Sequence, residues 1–257
     1  MPGSYWLVPR LHGPLLAYSL FGLLYLIMEI ADQYIAKLVF KALLMPVLVV
    51  MIALWHRELP LTPTVWLLLT FVFAWGGDLS LGLGTTTGGL CFFAVSRFFL
   101  FAAFRWYDQL SCSKVLVSAA FYSGAAVGLQ LVIWQSTTQP LGLQIAALFY
   151  LVLVVFNGYF FTHASWVVLV AGILFGLSDA LIAIRLFDSD WGGLAEMDIV
   201  LYVLAMGMFA YDYVTCQLAE LKARDEKIDG ITLLDDNAAE PKEKVYEFKE
   251  VDTAISV

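Results

Sequence analysis

Long apolar segments, separated by short polar turns, dominate the chain up to about residue 219. Each segment has about 18–22 residues, which as an α-helix is enough to cross roughly 30 Å of hydrocarbon. The sequences between them, such as HRELPLTP, GTTTGG, QSTTQP and DSDWGG, are rich in turn formers. The pattern predicts eight membrane spans, near 14–31, 35–55, 64–83, 88–107, 113–134, 141–161, 165–186 and 197–219.

The composition strengthens this interpretation and separates a tail from the apolar part. Of the 257 residues, 61% are hydrophobic and 14% are charged, and the mean hydropathy is +0.82. A soluble domain would be about half apolar and a quarter charged. We therefore predict an all-α, polytopic membrane protein, a bundle of eight transmembrane helices over residues 1–219. Residues 220–257 alternate in charge without a sustained apolar face, which predicts a mostly disordered cytosolic tail.

The distribution of basic residues predicts the direction of the spans. With the N-terminus in the cytosol, most basic residues near span ends fall on the cytosolic side, where positive charge is retained. These are Arg10, Arg57, Arg105, Lys114, Lys222, Arg224 and Lys227. The opposite side receives Lys37 and Arg185 among the acids Asp188, Asp190, Glu196 and Asp198. The imbalance predicts that both termini are cytosolic and that the number of spans is even.

Two aspartates lie inside these apolar runs. Asp78, in FVFAWGGDLSLGLG, is the only charge between Leu59 and Arg97, and Asp179 lies in LFGLSDALIAI. The predicted direction of the spans puts both below the non-cytosolic end of their helices. Lys41, Glu29 and Tyr202 come to the same level from three other spans, so five polar groups should share the outer half of the bundle.

A carboxylate in a membrane span must face the bundle interior, pair with a partner or line a wet cavity, because a lipid-facing charge costs several kcal/mol. One interpretation is a buried ion pair with Lys41 or Arg97 that only fixes helix packing. The other is a site, in which one carboxyl group is protonated and acts as general acid while the other is ionised and acts as general base. The predicted depth suits an ester or ether linkage of a lipid whose headgroup stays at the interface.

No other catalytic apparatus is evident in the sequence. It contains no GxSxG, no HExxH and no glycine-rich phosphate loop. Cys91, Cys112 and Cys216 have no framework spacing, and we interpret them as packing residues with no disulfide or metal. We expect no metal and no organic cofactor.

Several segments together resemble the YhhN-like, or transmembrane protein 86, family of lysoplasmalogenases. They are KALLMPVLV at 41–49, GGD at 76–78, GGLCFFAVSRFFLFAAF at 88–104, LFGLSDALIAI at 174–184 and LYVLAM at 201–206. Their order and spacing carry the resemblance, which covers residues of roughly 20–217, and the Ser178–Asp179 pair is the most specific element.

The resemblance implies an enzyme that hydrolyses the vinyl ether bond of lysoplasmalogens. The products would be a fatty aldehyde and glycerophosphocholine or glycerophosphoethanolamine, and the family's two critical aspartates match Asp78 and Asp179. One carboxylic acid would protonate carbon and the other carboxylate would stabilise the oxocarbenium ion and activate water, as in glycosidases. We assign catalytic roles to these two residues and substrate-binding roles to Lys41, Arg97, Tyr202, Glu29 and Ser178.

The sequence departs from the family pattern at three positions. Arg97 and Leu100 stand where the fourth helix usually has His and Tyr, and Met206 stands where the last helix usually has Gln. Arg97 cannot titrate, but it could bind a lipid phosphate or pair with Asp78. Two other functions therefore remain open: a non-catalytic lysolipid-binding protein and a proton-coupled transporter. The absence of an inverted repeat and the one-sided polar groups argue against transport.

The expected partners are a lysophospholipid substrate and membrane lipids, with no nucleic acid. In the tail, Asp229 with Leu233 and Leu234 fits an acidic dileucine sorting signal, and Ile255 to Val257 fits a PDZ ligand. Because both patterns are short and common, chance occurrence is the preferred explanation, and a sorting-adaptor or PDZ contact through the tail is the alternative. We expect an integral protein of the endoplasmic reticulum, with the endolysosomal or plasma membrane as alternatives.

Overall fold

Eight α-helices make up the fold in a computed structural model, which describes residues 9–55, 57–105, 110–135, 141–187 and 194–237. Within these residues there is no strand. The helices are α1 (Pro9–Ile30), α2 (Tyr34–Ala53), α3 (Leu61–Gly82), α4 (Thr86–Phe104), α5 (Cys112–Gln135), α6 (Leu141–Phe161), α7 (Trp166–Phe187) and α8 (Leu194–Asn237).

Seven of the described helices are long and apolar enough to span a membrane. The remaining helix, α5, has 24 residues, and its Cys112–Gly128 part is apolar. The predicted fold class, an all-α polytopic membrane bundle, is confirmed. The direction of the spans across the membrane stays a prediction.

The exposed and buried surfaces of the helices fit a lipid environment. On α1, the apolar side chains Leu16, Leu20, Leu23 and Ile27 are exposed at helical spacing, as expected where hydrocarbon covers the surface. Among the candidate membrane spans of the described residues, the α8 span at Glu196–Glu220 is the most buried, since about 61% of its apolar segment lies inside the protein. Its aromatic residues Phe209 and Tyr213 are fully buried. One face of α8 therefore contributes heavily to the core.

The chain divides into two compact units, residues 1–218 and 219–257. The last helix is described as far as Asn237, so residues 220–237 are helical where the composition favours a disordered tail. Leu233 and Leu234 of the dileucine pattern fall in this helical part. The PDZ pattern at the end of the chain, and Asp188 and Asp190, lie outside the described residues. The division into a membrane domain and a disordered tail stays a prediction.

Candidate functional site

A proline in α2 determines how α2 meets α3. Pro46 lies inside the helix and has no N–H, so the carbonyl of Ala42, four residues earlier, loses its usual helical partner. The indole Nε1–H of Trp75 in α3 donates to that carbonyl at 2.9 Å. Trp75 and Asp78 are three residues apart in one helix, and Lys41 is next to Ala42. The contact therefore holds Lys41 and Asp78 at the same level of the bundle.

Asp78 is buried and both of its carboxylate oxygens are engaged. Its side chain is 2% exposed, and Oδ1 lies 3.2 Å from Nζ of Lys41. The hydroxyl of Tyr202 in α8 donates to Oδ2 at 2.6 Å. Helices α2, α3 and α8 thus each contribute one member of this cluster. The two glycines before Asp78 serve helix packing, because a Cβ at Gly76 or Gly77 would meet the rings of Phe92 and Phe93 in α4.

Asp179 in α7 is held by a different cation. It forms an ion pair with Arg97 of α4, whose side chain is fully buried. The Arg97 guanidinium lies 3.4 Å from the ring centroid of Phe175, and its Nε donates to the hydroxyl of Tyr150 at 3.3 Å. Its Nη1 has no hydrogen-bond partner among the described residues. The ion pairs that would serve helix packing alone therefore both form, Lys41 with Asp78 and Arg97 with Asp179.

The two aspartates line one narrow cavity. Its wall includes Asp78 and Asp179 together with Lys41, Tyr202 and Asp198, and apolar side chains complete it: Phe93, Phe175, Ile182 and Ile199, beside the ring of Tyr25. Two carboxyl groups from different helices that face one space can act on one bond, which a packing role alone does not require.

Two further cavities adjoin this one, and Ile182 lines all three. The first, of about 50 Å³, is an apolar groove that ends at Asp179. Its other walls come from α3 to α7: Leu81, Leu90, Phe93, Phe121, Tyr122, Ala125, Ala147, Tyr150, Leu151, Val154, Val155, Gly176, Ile182 and Ala183. The second, of about 330 Å³, is a vestibule with charged side chains in its wall, and it shares Tyr25, Lys41, Asp198 and Ile199 with the narrow cavity. A ligand with an apolar chain and a polar head matches this arrangement.

Charged side chains from two helix pairs line the vestibule. Lys37 of α2 lies 3.3 Å from Glu29 of α1. Arg185 of α7 lies 3.0 Å from Asp198 of α8, and Ser178 donates to the same Asp198 at 3.3 Å. Lys41 and Asp198 line both the vestibule and the narrow cavity. Charged side chains therefore extend from the vestibule to the two aspartates.

The structure brings most of the sequence-predicted site residues together. Asp78, Asp179, Lys41 and Tyr202 line the narrow cavity, and Glu29 lines the vestibule. Ser178 lies behind Asp198 and holds its carboxylate. These placements leave the assigned catalytic and binding roles as predictions.

The structure shows which of the partners considered for Arg97 it has. Arg97 pairs with Asp179, which the packing interpretation allowed, while the described contacts show no pair between Arg97 and Asp78. It does not line any of the three described cavities. Leu100 and Met206, the other two departures from the family pattern, are fully buried apolar residues and do not line them either.

Sequence reasoning missed four residues of this region: Tyr25, Lys37, Arg185 and Asp198. Helical spacing could have identified three of them. Tyr25 is four residues before Glu29, Lys37 four before Lys41, and Asp198 four before Tyr202, and residues four apart share a helix face. The charges of Lys37, Arg185 and Asp198 were instead assigned to loops and span ends, where charge is ordinary.

The fold and site define a helical integral membrane protein with two carboxyl groups on one narrow cavity, next to an apolar groove and a vestibule with charged walls. The model of the YhhN family matches residues 36–211, and the chain belongs to this family. The matched region contains both aspartates and both of their cations. Comparison with curated proteins and with solved structures gives no match.

Proposed function

We propose that the protein is a membrane lysoplasmalogenase, which hydrolyses the vinyl ether bond of lysoplasmalogens to a fatty aldehyde and a glycerophospho-alcohol. The observation that carries this proposal is the position of Asp78 and Asp179 on one narrow cavity. The apolar groove, which Asp179 lines, accommodates an alkenyl chain, and the vestibule accommodates a headgroup. The bond between chain and glycerol then lies next to the two carboxyl groups.

The two carboxyl groups have different partners, which suggests different roles. Asp179 faces the guanidinium of Arg97, which keeps its positive charge at all relevant pH values. Asp179 therefore acts as the carboxylate that stabilises an oxocarbenium ion. Asp78 faces Lys41 and the Tyr202 hydroxyl, two groups that can exchange protons. With the proton of the Lys41 ammonium group transferred to its carboxylate, Asp78 acts as the general acid.

The reaction starts with proton transfer from Asp78 to the vinyl carbon β to the ether oxygen, which leaves an oxocarbenium ion at the adjacent carbon. Water adds to that carbon and gives its proton to Asp179, forming a hemiacetal. Asp179 then protonates the departing glycerol oxygen while Asp78 takes the hemiacetal hydroxyl proton. The C–O bond breaks, aldehyde and alcohol are released, and both carboxyl groups return to their starting states with one water consumed.

The test is aldehyde release by detergent-purified protein from lysoplasmalogen, compared with a saturated lysophospholipid of the same headgroup. We expect aldehyde only from the vinyl ether. Asp78→Asn should lower turnover by at least about 10²-fold, because an amide cannot donate the proton. Asp179→Asn should lower turnover to the same extent. Because this change leaves Arg97 without its buried partner and so destabilises the protein, turnover is expressed per amount of folded protein.

A matched control is Asp212→Asn. Like Asp78 and Asp179, Asp212 is a buried aspartate, and it lies in α8. It accepts a hydrogen bond from Ser165 at 2.8 Å. It does not line the three described cavities. Its turnover should stay near that of the wild type. Stable Asp78→Asn protein with full turnover would refute the catalytic role.

One observation favours a second candidate, a non-catalytic lysolipid-binding protein. Each aspartate is already paired with a cation in the described structure, and such pairs alone would stabilise the bundle. A binding protein would bind lysoplasmalogen and the saturated lysophospholipid alike and release no aldehyde from either.

A further inference from the structure

We propose that Arg97, Tyr122 and Asn157 form a water-binding site behind the Arg97–Asp179 pair, and that this site supplies the water consumed in the hydrolysis. The supply role rests on the proposed function, because it assumes that a lysolipid is hydrolysed. The water site itself rests on the packing of the bundle alone.

Three helices each contribute a buried polar atom without a hydrogen-bond partner among the described residues. These atoms are Nη1 of Arg97 in α4, the hydroxyl of Tyr122 in α5 and Oδ1 of Asn157 in α6. None of the three residues is more than 2% exposed. An unsatisfied polar atom inside a protein costs free energy, and a bound water is the usual way to satisfy it.

The packing around Tyr122 places its hydroxyl near the other two side chains. A Cβ at Gly158, the residue after Asn157, would meet the Tyr122 ring at 2.3 Å. A Cβ at Gly172 of α7 would lie 3.0 Å from the Tyr122 hydroxyl. These two glycines therefore let the ring lie between α6 and α7, where the charge of Arg97 interacts with it.

The three atoms have complementary hydrogen-bonding character. A guanidinium nitrogen only donates, an amide oxygen only accepts, and a hydroxyl does both. One water can accept from Arg97 and donate to Tyr122, and a second can accept from Tyr122 and donate to Asn157. Nη2 of the same guanidinium binds Asp179, so this chain of waters ends beside the carboxylate that takes the proton of the attacking water.

A row of buried polar residues on α5 connects this site with the end of the bundle opposite the vestibule. Lys114, Ser118 and Tyr122 are four residues apart, share one helix face and are all buried. Ser118 donates to the carbonyl of Gly158 at 2.8 Å, and Lys114 donates to the carbonyl of Ala164, just before α7 begins. The vestibule lies at the other end of α7.

The hydrolysis needs a supply of water from this direction. Each turnover consumes one water, and a bound lysolipid would fill both the groove and the vestibule. Tyr122 and Asp179 line the same groove, so a water held at the Tyr122 hydroxyl can move to the carboxylate along one wall. Water that enters behind Arg97 therefore reaches the reacting carbon without crossing the lipid.

The first experiment is X-ray hydroxyl-radical labelling of the wild type in nanodiscs, because irradiated water modifies the aromatic ring beside it. We expect modification of Tyr122 but not of Tyr213, a buried tyrosine whose hydroxyl is hydrogen-bonded to Thr64 at 2.8 Å. Asn157→Leu removes an acceptor and should lower the modification of Tyr122. Tyr150, which lines the same groove, should keep its modification. An unmodified Tyr122 in the wild type would overturn the site.

The second experiment is Tyr122→Phe, which removes only the hydroxyl. With bound water, the melting temperature should fall, whereas removal of a dry, unsatisfied hydroxyl would raise it and overturn the site. We expect kcat for aldehyde release to fall by about tenfold, the equivalent of one lost hydrogen bond, with KM unchanged. Tyr213→Phe is the matched control and should keep the wild-type kcat.

The two experiments separate failure of the inference from failure of the proposed function. Full kcat in folded Tyr122→Phe would overturn the supply role. If the wild type releases no aldehyde, the lysoplasmalogenase is refuted and the supply role falls with it. The labelling and the melting temperature still decide whether Arg97, Tyr122 and Asn157 bind water.

Discussion

At the scale of single residues, the two aspartates could be identified from the sequence but their partners could not. A lone charge in an apolar run is visible in any sequence, and Lys41 and Arg97 were both candidate cations. The choice between them depends on which helices are neighbours. The structure pairs Asp78 with Lys41 and Asp179 with Arg97, and the contact of Arg185 with Asp198 likewise depends on which helices are neighbours.

The two cations should respond differently to substitution. Arg97→Met leaves the buried carboxylate of Asp179 without its cation, and we expect the free energy of unfolding to fall by about 3–5 kcal/mol. Lys41 is 19% exposed and lines the vestibule, so Lys41→Met should cost less stability and mainly raise KM for the phosphate-bearing substrate. Thermal unfolding in detergent and steady-state kinetics measure the two effects.

The double variant Arg97→Met with Asp179→Leu is the control for this prediction. Replacing both charges by apolar side chains should recover most of the lost stability, although not the activity. If Arg97→Met unfolds at the wild-type temperature, the ion pair does not stabilise the bundle.

At the scale of the helices, hydropathy predicted the elements because a membrane imposes both length and apolar character on every span. The predicted span 64–83 corresponds to α3 at Leu61–Gly82, and 165–186 corresponds to α7 at Trp166–Phe187. Hydropathy carries no information about which helices touch. The hydrogen bond from Trp75 to the carbonyl freed by Pro46 joins α3 to α2, so only the structure could identify it.

This contact can be tested by a double-mutant cycle. Trp75→Phe removes the donor and should lower the free energy of unfolding by about 1–3 kcal/mol, because the Ala42 carbonyl then has no partner. In a Pro46→Ala background the alanine N–H can bond to that carbonyl within the helix, so the same change should cost clearly less. Unfolding temperatures of the four proteins give the coupling. Equal losses in both backgrounds would refute the linkage.

At the scale of the whole molecule, the prediction concerns the direction of the chain. The cavities cluster at the ends of α1, α3 and α7 where Glu29, Gly82 and Ile182 lie, which the positive charges assign to the non-cytosolic side. Epitope tags at the two termini should therefore both be accessible from the cytosol in selectively permeabilised cells. Accessibility from opposite sides would exclude eight spans. A third tag in the loop between α3 and α4 is the control and should be protected.

The Arg97–Asp179 pair has a consequence for how the protein is made. Its two members are separated by 82 residues, and a ribosome adds about 5–20 residues each second. Arg97 is therefore inserted about 4–16 s before its partner is synthesised. Through that interval the nascent α4 carries a charge that costs about 2.5–3.5 kcal/mol at the centre of a span. This cost lasts until Asp179 is inserted, so α4 is least stable in the membrane during this interval.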